Sequence, residues 1–400
     1  MCPRAFFLWI LSLACIGGVS GVAAAPAPAF RPVTLDASVG IGYGVAVADV
    51  NGDRKPDVLL ADKDLVAWYE NPGWQKHVIA GKLTPKDHVC LAAADVDGDG
   101  KCEVAVGAEW NPGDTENSGA VFYLVPGADR TQRWEAIRLA HEPTVHRMRW
   151  VADEAGRFQL VVVPLHGRGN LAAKPEGPGA KILAYTMPKD PRQPWATAQW
   201  DAVLHKTHNF DVVAWDGDAA QELLVGSKAG VFLLDRTEGG GGRRVPLTGD
   251  EDGGAGEVRA GRLGPGSRFL ATVEPMHGNN LVLYQAPAAG AGEGRWRRRV
   301  LDSSLADGHA VVCGDFAGLG RDQIVVGWRA MNRPGVRVGV RLWTPVDGAG
   351  SEWTASWVDD NTMACEDLAA ADFDGDGRLD LVAAGRATKN LKVYYNQGVK

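Results

Sequence analysis

The sequence predicts an all-β fold, and three observations carry that reading. Glycine supplies 51 of the 400 residues and tryptophan 14, while helical periodicity is sustained almost nowhere. Short apolar runs recur between Gly, Pro and Asp turns, the pattern of short strands. One loop also recurs in near copies, at Asp49-Val50-Asn51-Gly52-Asp53, Asp95-Val96-Asp97-Gly98-Asp99 and Asp372-Phe373-Asp374-Gly375-Asp376, with Asp57, Glu103 and Asp380 at the ninth positions. A repeat of this kind fixes the architecture ahead of any function.

Aligned on that loop, the chain falls into seven rows. First strands are expected at 44–49, 88–95, 146–153, 208–216, 257–263, 309–315 and 366–372. Second strands follow at 58–61, 104–107, 159–163, 223–226, 269–273, 324–327 and 381–385. Third strands are expected at 65–70, 120–125, 181–186, 230–235, 280–285, 337–343 and 390–396. Fourth strands, often led by Trp, fall at 74–79, 134–139, 195–203, 243–247, 296–301 and 353–358. That last set is one short, and residues 31–35 supply the missing member ahead of the first row. The expected fold is therefore a seven-bladed β-propeller of four-stranded blades, closed by the N-terminal strand completing the last blade, which removes the open sheet edge.

Residues 1–25 read as a signal peptide: Arg4, an apolar core over 5–17, then Val22-Ala23-Ala24-Ala25. Residues 26–400 read as one propeller domain, and the protein is expected to be exported, periplasmic or extracellular. No other stretch is long and apolar enough to span a bilayer. A net charge of −7 argues against a nucleic-acid partner. Beyond the signal, Cys90, Cys102, Cys313 and Cys365 match no zinc-site spacing.

The Asp-x-Asp-Gly-Asp rows, each followed by a Leu-Val-Val-Gly-type strand, resemble the FG-GAP/VCBS repeat family of β-propellers over about 31–400. More narrowly, residues 141–150 (HEPTVHRMRW), 163–167 (VPLHG) and 324–329 (IVVGWR) resemble the propeller domain of aldos-2-ulose dehydratases. The first resemblance implies fold, and adhesion-type binding as one use. The second implies metal-assisted elimination of water from keto-sugars. The chain leaves no room for the cupin domains of those enzymes, so the resemblance does not extend to a coupled isomerase step.

In each acidic loop, oxygens at positions 1, 3, 5 and 9 suit a hard cation, Ca²⁺ or Mg²⁺. The expected ligands are Asp49, Asn51, Asp53 and Asp57; Asp95, Asp97, Asp99 and Glu103; and Asp372, Asp374, Asp376 and Asp380. No Glu at position 12 and no flanking helix supports an EF-hand. The ion's expected role is to pin the turn. The degenerate loops of rows three to six are expected to bind nothing.

Because the loop joins strands one and two, strand-one starts and strand-two ends meet at the opposite face. His88, His146, His208, His309 and Glu366 occupy the first register; Glu109, Trp110, His166, Lys228, His277, Trp328, Arg329 and Arg386 occupy the second. Around a propeller these line one channel mouth. His77, His141 and His205 are expected on the surface. Arg147 should point away from His146 by the period of a strand, unless that strand begins irregularly.

A His cluster with Glu can hold Zn²⁺ or another divalent transition metal. A neutral His can take a proton beside a carbonyl while a metal or Arg329 stabilises the enolate, and a second His or Tyr protonates the leaving oxygen. Trp110 and Trp328 can stack on a sugar ring, with Lys228 and Arg386 as further substrate contacts. His88, His146, His166, His208, His277, His309, Arg329 and Glu109 are thus the catalytic candidates. The expected activity is carbohydrate β-elimination, a carbon–oxygen lyase. The alternative is a non-catalytic propeller that binds glycans or proteins.

Overall fold

The computed structural model describes residues 27–170, 177–236, 242–287, 296–331 and 335–399; the expected signal peptide lies outside them. The described residues form seven antiparallel sheets of four strands, and the only helix among them is a 3₁₀ turn at Glu251–Gly253. Blades 1 to 6 each take four consecutive strands, from Gly44–Ala48 in blade 1 to Trp353–Asp360 in blade 6. Blade 7 combines Cys365–Ala371, Asp380–Gly385 and Asn390–Val399 with the N-terminal strand Pro28–Asp36. The expected closure is observed, with Val33 opposite Val393 and Arg31 opposite Tyr395. The end of that closing strand is also tied to blade 1: Asp36 accepts from Tyr69 Oη at 2.7 Å and pairs with Lys76 at 2.6 Å.

Burial explains the strand patterns. Second strands such as Asp57–Ala61 and Glu103–Ala108 are buried throughout, since neighbouring blades cover both faces of each sheet. Outermost strands alternate, as in Trp353–Asp360, because one face meets solvent. The core lies between blades: Leu59, Trp68 and Ile79 of blade 1 pack on Leu91, Val104, Val106 and Phe122 of blade 2. His77 belongs to this layer rather than to the surface. It is buried, stacks on Trp68 at 4.6 Å and bonds Glu70 at 2.9 Å. All four cysteines beyond the signal are free thiols.

The ninth loop position has a structural use that its acidity alone does not reveal. Asp57 accepts the N–H groups of Val50 and Asn71, both at 2.9 Å. Asp380 accepts those of Phe373 at 2.9 Å and Asn396 at 2.7 Å. The two asparagines then lock blade to blade. Asn71 Nδ2 donates to Pro56 O in its own loop and, at 2.8 Å, to Phe373 O in blade 7. Asn396 Nδ2 donates to Leu379 O and, at 2.8 Å, to Phe316 O in blade 6. Glu103 repeats the first half of the device on Val96 at 3.0 Å.

Both asparagines are buried. Truncation takes the donor from two carbonyls at a buried site, and each such group left unsatisfied costs about 1–3 kcal/mol. Asn396→Ala is therefore expected to destabilise by about 2–4 kcal/mol, read as a lower urea midpoint with an unchanged slope.

Candidate functional site

The channel mouth is shaped by a repeated irregularity. In blade 3, Val145 pairs with Pro164 and Arg147 with Val163, so His146 is an extra residue. His309 between Gly308 and Ala310, and Glu366 between Cys365 and Asp367, are extra in the same way. A bulge of this kind re-aims a side chain. It is the irregular start that lets Arg147 stay on the channel side with His146. Arg147 is buried; its Nη1 donates to His146 O at 3.0 Å, while Nε and Nη2 have no partner among the described residues.

The imidazoles are oriented by the blade that follows. His146 Nδ1 lies 2.6 Å from His208 O, and His309 Nδ1 lies 2.5 Å from Glu366 O. His208 Nδ1 lies 3.2 Å from Gly256 O and 3.0 Å from Glu257 Oε1. A carbonyl oxygen only accepts, so each Nδ1 carries the proton and each Nε2 presents a lone pair.

His277 then fits one way. Its Nε2 is 2.7 Å from His208 Nε2, so His277 Nε2–H donates, and its Nδ1 accepts from Arg329 Nη2 at 3.4 Å. His277 adopts this pose at φ 56°, an uncommon conformation for a non-glycine residue. Arg329 is fixed by Asp307 at 2.8 Å and Glu366 at 2.6 Å, and Glu366 also pairs with Arg386 at 2.9 Å.

Burial holds His146, His208 and His309 well below the usual histidine range, and Arg147 or Arg329 lowers them further. His277 is lowered by burial, His208 and Arg329 together. All four are neutral at physiological pH, as a ligand or a general base requires.

Beside these rings opens a cavity of about 330 Å³, lined by Trp110, His146, His166, His205, His208, His277, Lys206, Lys228 and neighbours. Trp110 faces His146 at 4.8 Å between ring centres. The structure therefore brings together His146, His166, His208, His277, His309, Trp110, Lys228 and Arg329, with Arg386 reaching Glu366 from the far rim.

Three candidates fall elsewhere. Trp328 is 1% exposed, packs with Leu281, Leu283 and Ile324, and donates Nε1–H to Arg337 O at 2.7 Å. Strand alternation sends Arg329 to the mouth and Trp328 into the core. His88 is fully buried with both nitrogens occupied, Nδ1 by Asp62 O at 3.0 Å and Nε2 by the Leu83 N–H at 3.3 Å. It joins loops of two blades and takes no place in the imidazole cluster. Glu109 lies outside the cavity lining and accepts the Lys86 N–H at 3.4 Å.

Sequence reasoning missed His205, Lys206, Asp307 and Tyr43. His205 lines the cavity rather than the outer surface and bonds Gly177 O at 2.7 Å. It precedes the blade 4 inner strand by the same short stretch that carries His208, and that adjacency was the available signal. Tyr43 bonds Asp87 at 3.0 Å with Arg386 over its ring.

On the opposite face, oxygens of Asp95, Asp97 and Asp99 converge within 4.8 Å, as do those of Asp372, Asp374 and Asp380. The blade 1 carboxylates Asp49, Asp53 and Asp57 do not converge so closely among the described residues; Asp53 pairs with Lys55 and Asn51 turns its amide to Glu70. Asp376 pairs with Arg378. A fourth loop that looked degenerate gathers Asp216, Glu222 and Asp235, the last from the third strand of blade 4. Every first-position Asp already accepts N–H groups of its own loop, such as Gly98 and Gly100 on Asp95.

Residues 49–106 match the family model of the FG-GAP-like repeat. The chain is 25% identical over 367 residues to aldos-2-ulose dehydratase of Phanerodontia chrysosporium, covering 84% of this chain and 39% of that protein. The chain thus spans well under half of that relative. Among solved structures, a chain of the mitotic checkpoint complex superposes with a TM-score of 0.56 at 14% identity, covering 98% of both chains. Rhamnogalacturonan lyase YesW gives a TM-score of 0.49 at 15% identity over 92% of this chain and 76% of that one. The fold is thus shared with a chain of the mitotic checkpoint complex, and the chain is similar in sequence to a carbohydrate dehydratase.

The lowered histidines link stability to pH. A base whose folded pKa lies below its unfolded value leaves the folded state binding fewer protons. Its contribution is therefore full above about pH 6.5 and falls as pH drops. His309→Gln removes one such group. The stability gap between wild type and variant is expected to shift in the variant's favour by up to about 1.4 kcal/mol per pH unit below pH 6.5, measured by urea unfolding from about pH 7.5 to 5.

Proposed function

We propose that this protein is an exported carbohydrate lyase of the dehydratase kind, which removes a β-oxygen substituent from a keto-sugar at the imidazole-lined mouth. The observation that carries the reading is the pair of neutral imidazoles, His146 and His309, each fixed through Nδ1 with no partner on Nε2 among the described residues, in a cluster set beside the Arg329 guanidinium. The resemblance to aldos-2-ulose dehydratase supports the same chemistry.

In this reading Trp110 receives one face of the sugar ring. His146, whose Nε2 has no other protein partner among the described residues, removes the proton next to the carbonyl. The electron pair moves onto the carbonyl oxygen, where Arg329 supplies positive charge. It then returns to form the C=C bond as the C–O bond breaks. His146, protonated by that abstraction, then delivers the proton to the departing oxygen within the same cavity, which His166 also lines.

His208, His277 and His309 fit a divalent transition metal, since their nitrogens already lie within 4.8 Å of one another. For His277 to join, its proton must sit on Nδ1, which faces Asp307 at 3.7 Å, a histidine–carboxylate arrangement common at metal sites. Such an ion, when bound, supplies Lewis acidity toward a carbonyl oxygen.

The decisive measurement is the absorbance of an enone when the protein is incubated with 3-keto-glycosides or 1,5-anhydrofructose. Turnover is expected for wild type, with His146→Ala lowering kcat about 10²–10⁴-fold. Absence of turnover with every keto-sugar, together with retained glycan binding, would instead establish a binding propeller.

The acidic loops of blades 2 and 7 serve, in the same proposal, as Ca²⁺ staples. Calcium at about 100 times its Kd is expected to stabilise by about 2.7 kcal/mol. Asp97→Asn combined with Asp99→Asn should remove the blade 2 share without touching turnover, as followed by melting temperature with and without chelator.

A further inference from the structure

The charge around the cavity is one-sided. Its described lining holds five histidines (146, 166, 205, 208 and 277), Lys206 and Lys228, and no carboxylate, on a chain of net charge −7. Neither lysine ammonium pairs with an acid among the described residues, and both side chains are exposed. The acids nearest the imidazoles lie outside this lining and have partners: Asp307 pairs with Arg329, Glu366 with Arg329 and Arg386, and buried Glu257 with His208 and Asn209. Lys206 sits close enough to His166 to oppose its protonation, second only to burial.

From this we infer that the substrate is an acidic sugar, whose carboxylate or sulfate lies between Lys206 and Lys228 while its reacting carbons lie over His146. The inference rests on the elimination reading for its orientation, but the charge preference stands on the lining alone. An anion there meets two unpaired ammonium groups, and because both reach solvent the attraction is screened by salt. Lysine offers a point charge rather than a planar fork, so either anionic group fits.

The test is the affinity of the full chain for three probes: methyl glucuronide, glucose 6-sulfate and methyl glucoside. At about 0.02 M salt the charged sugars are expected to bind about five- to tenfold more tightly than the neutral one, and the gap should shrink at about 0.3 M. A Lys206→Asn/Lys228→Gln variant should abolish the gap. Asn suits position 206, where φ is 50°, and an unchanged melting temperature certifies the fold. The two charged probes separate a uronate-type from a sulfate-type ligand. Equal affinity for charged and neutral sugars, or a preference that survives the double substitution, overturns the inference while leaving enone formation to be judged on its own. A lysine-dependent preference in a protein that turns over no keto-sugar sustains the inference and removes the lyase reading.

Discussion

Everything at the mouth depends on the ring being closed. The pairing of Pro28–Asp36 with Asn390–Val399 completes blade 7 and sets it between blades 6 and 1. Blade 7 then turns the Glu366 carbonyl to His309 and the Glu366 carboxylate to Arg329 of blade 6, while Arg386 of blade 7 itself holds the other oxygen. An open ring would leave His309 without its orienting acceptor and Arg329 with one acid instead of two. Closure is a stability device, because it removes an edge, and a site-assembly device, because each imidazole is aimed by the next blade round.

The bulges add what a regular strand cannot. A regular inner strand offers one channel-facing residue in two. By inserting an extra residue at the start, blades 3, 6 and 7 present two in succession, so His146 is backed by Arg147 and Glu366 by Asp367. The second residue then serves the fold. Asp367 accepts the Val45 N–H at 2.9 Å, satisfying an inner-edge donor of the next blade. Asp211 does the same for Ala260 at 3.1 Å. Burying such charges raises Asp367 and Glu257 and lowers Arg149, and the alternation of signs down the channel is what makes the arrangement tolerable.

The architecture was legible because it is periodic. Blade number, strand order and the closing strand all follow from one loop recurring along the chain. The mouth was legible by register, since antiparallel geometry decides which ends of which strands share a face. What register could not decide was the direction of a side chain at a strand end. Trp328 and Arg329 are neighbours, and one is core while the other is site. His88 shared its register with His146, yet its ring finds the Asp62 carbonyl and the Leu83 N–H, contacts set by loop paths that no periodicity describes. His205 and Lys206 were hidden for the same reason, lying in an irregular link rather than a strand.

The acidic loops are the loudest feature of the sequence, and their ninth residues turn out to do a second job. Burial first of all raises Asp57 and Glu103 to about 7 and Asp380 to about 6, against the N–H groups that favour their charge. A folded pKa above the unfolded one favours protonation in the fold. Unaided, these residues therefore weaken the folded state as pH rises through about 4 to 7. They persist because each binds the backbone that closes its own turn, and in blades 1 and 7 also the asparagine that clamps the preceding blade. A cation in the loop would offset the remaining charge, alongside the N–H groups that hold the turn. The loops are therefore the joints of the ring, and the proposed chemistry belongs to the other face, where blades 3 to 6 bring their imidazoles together.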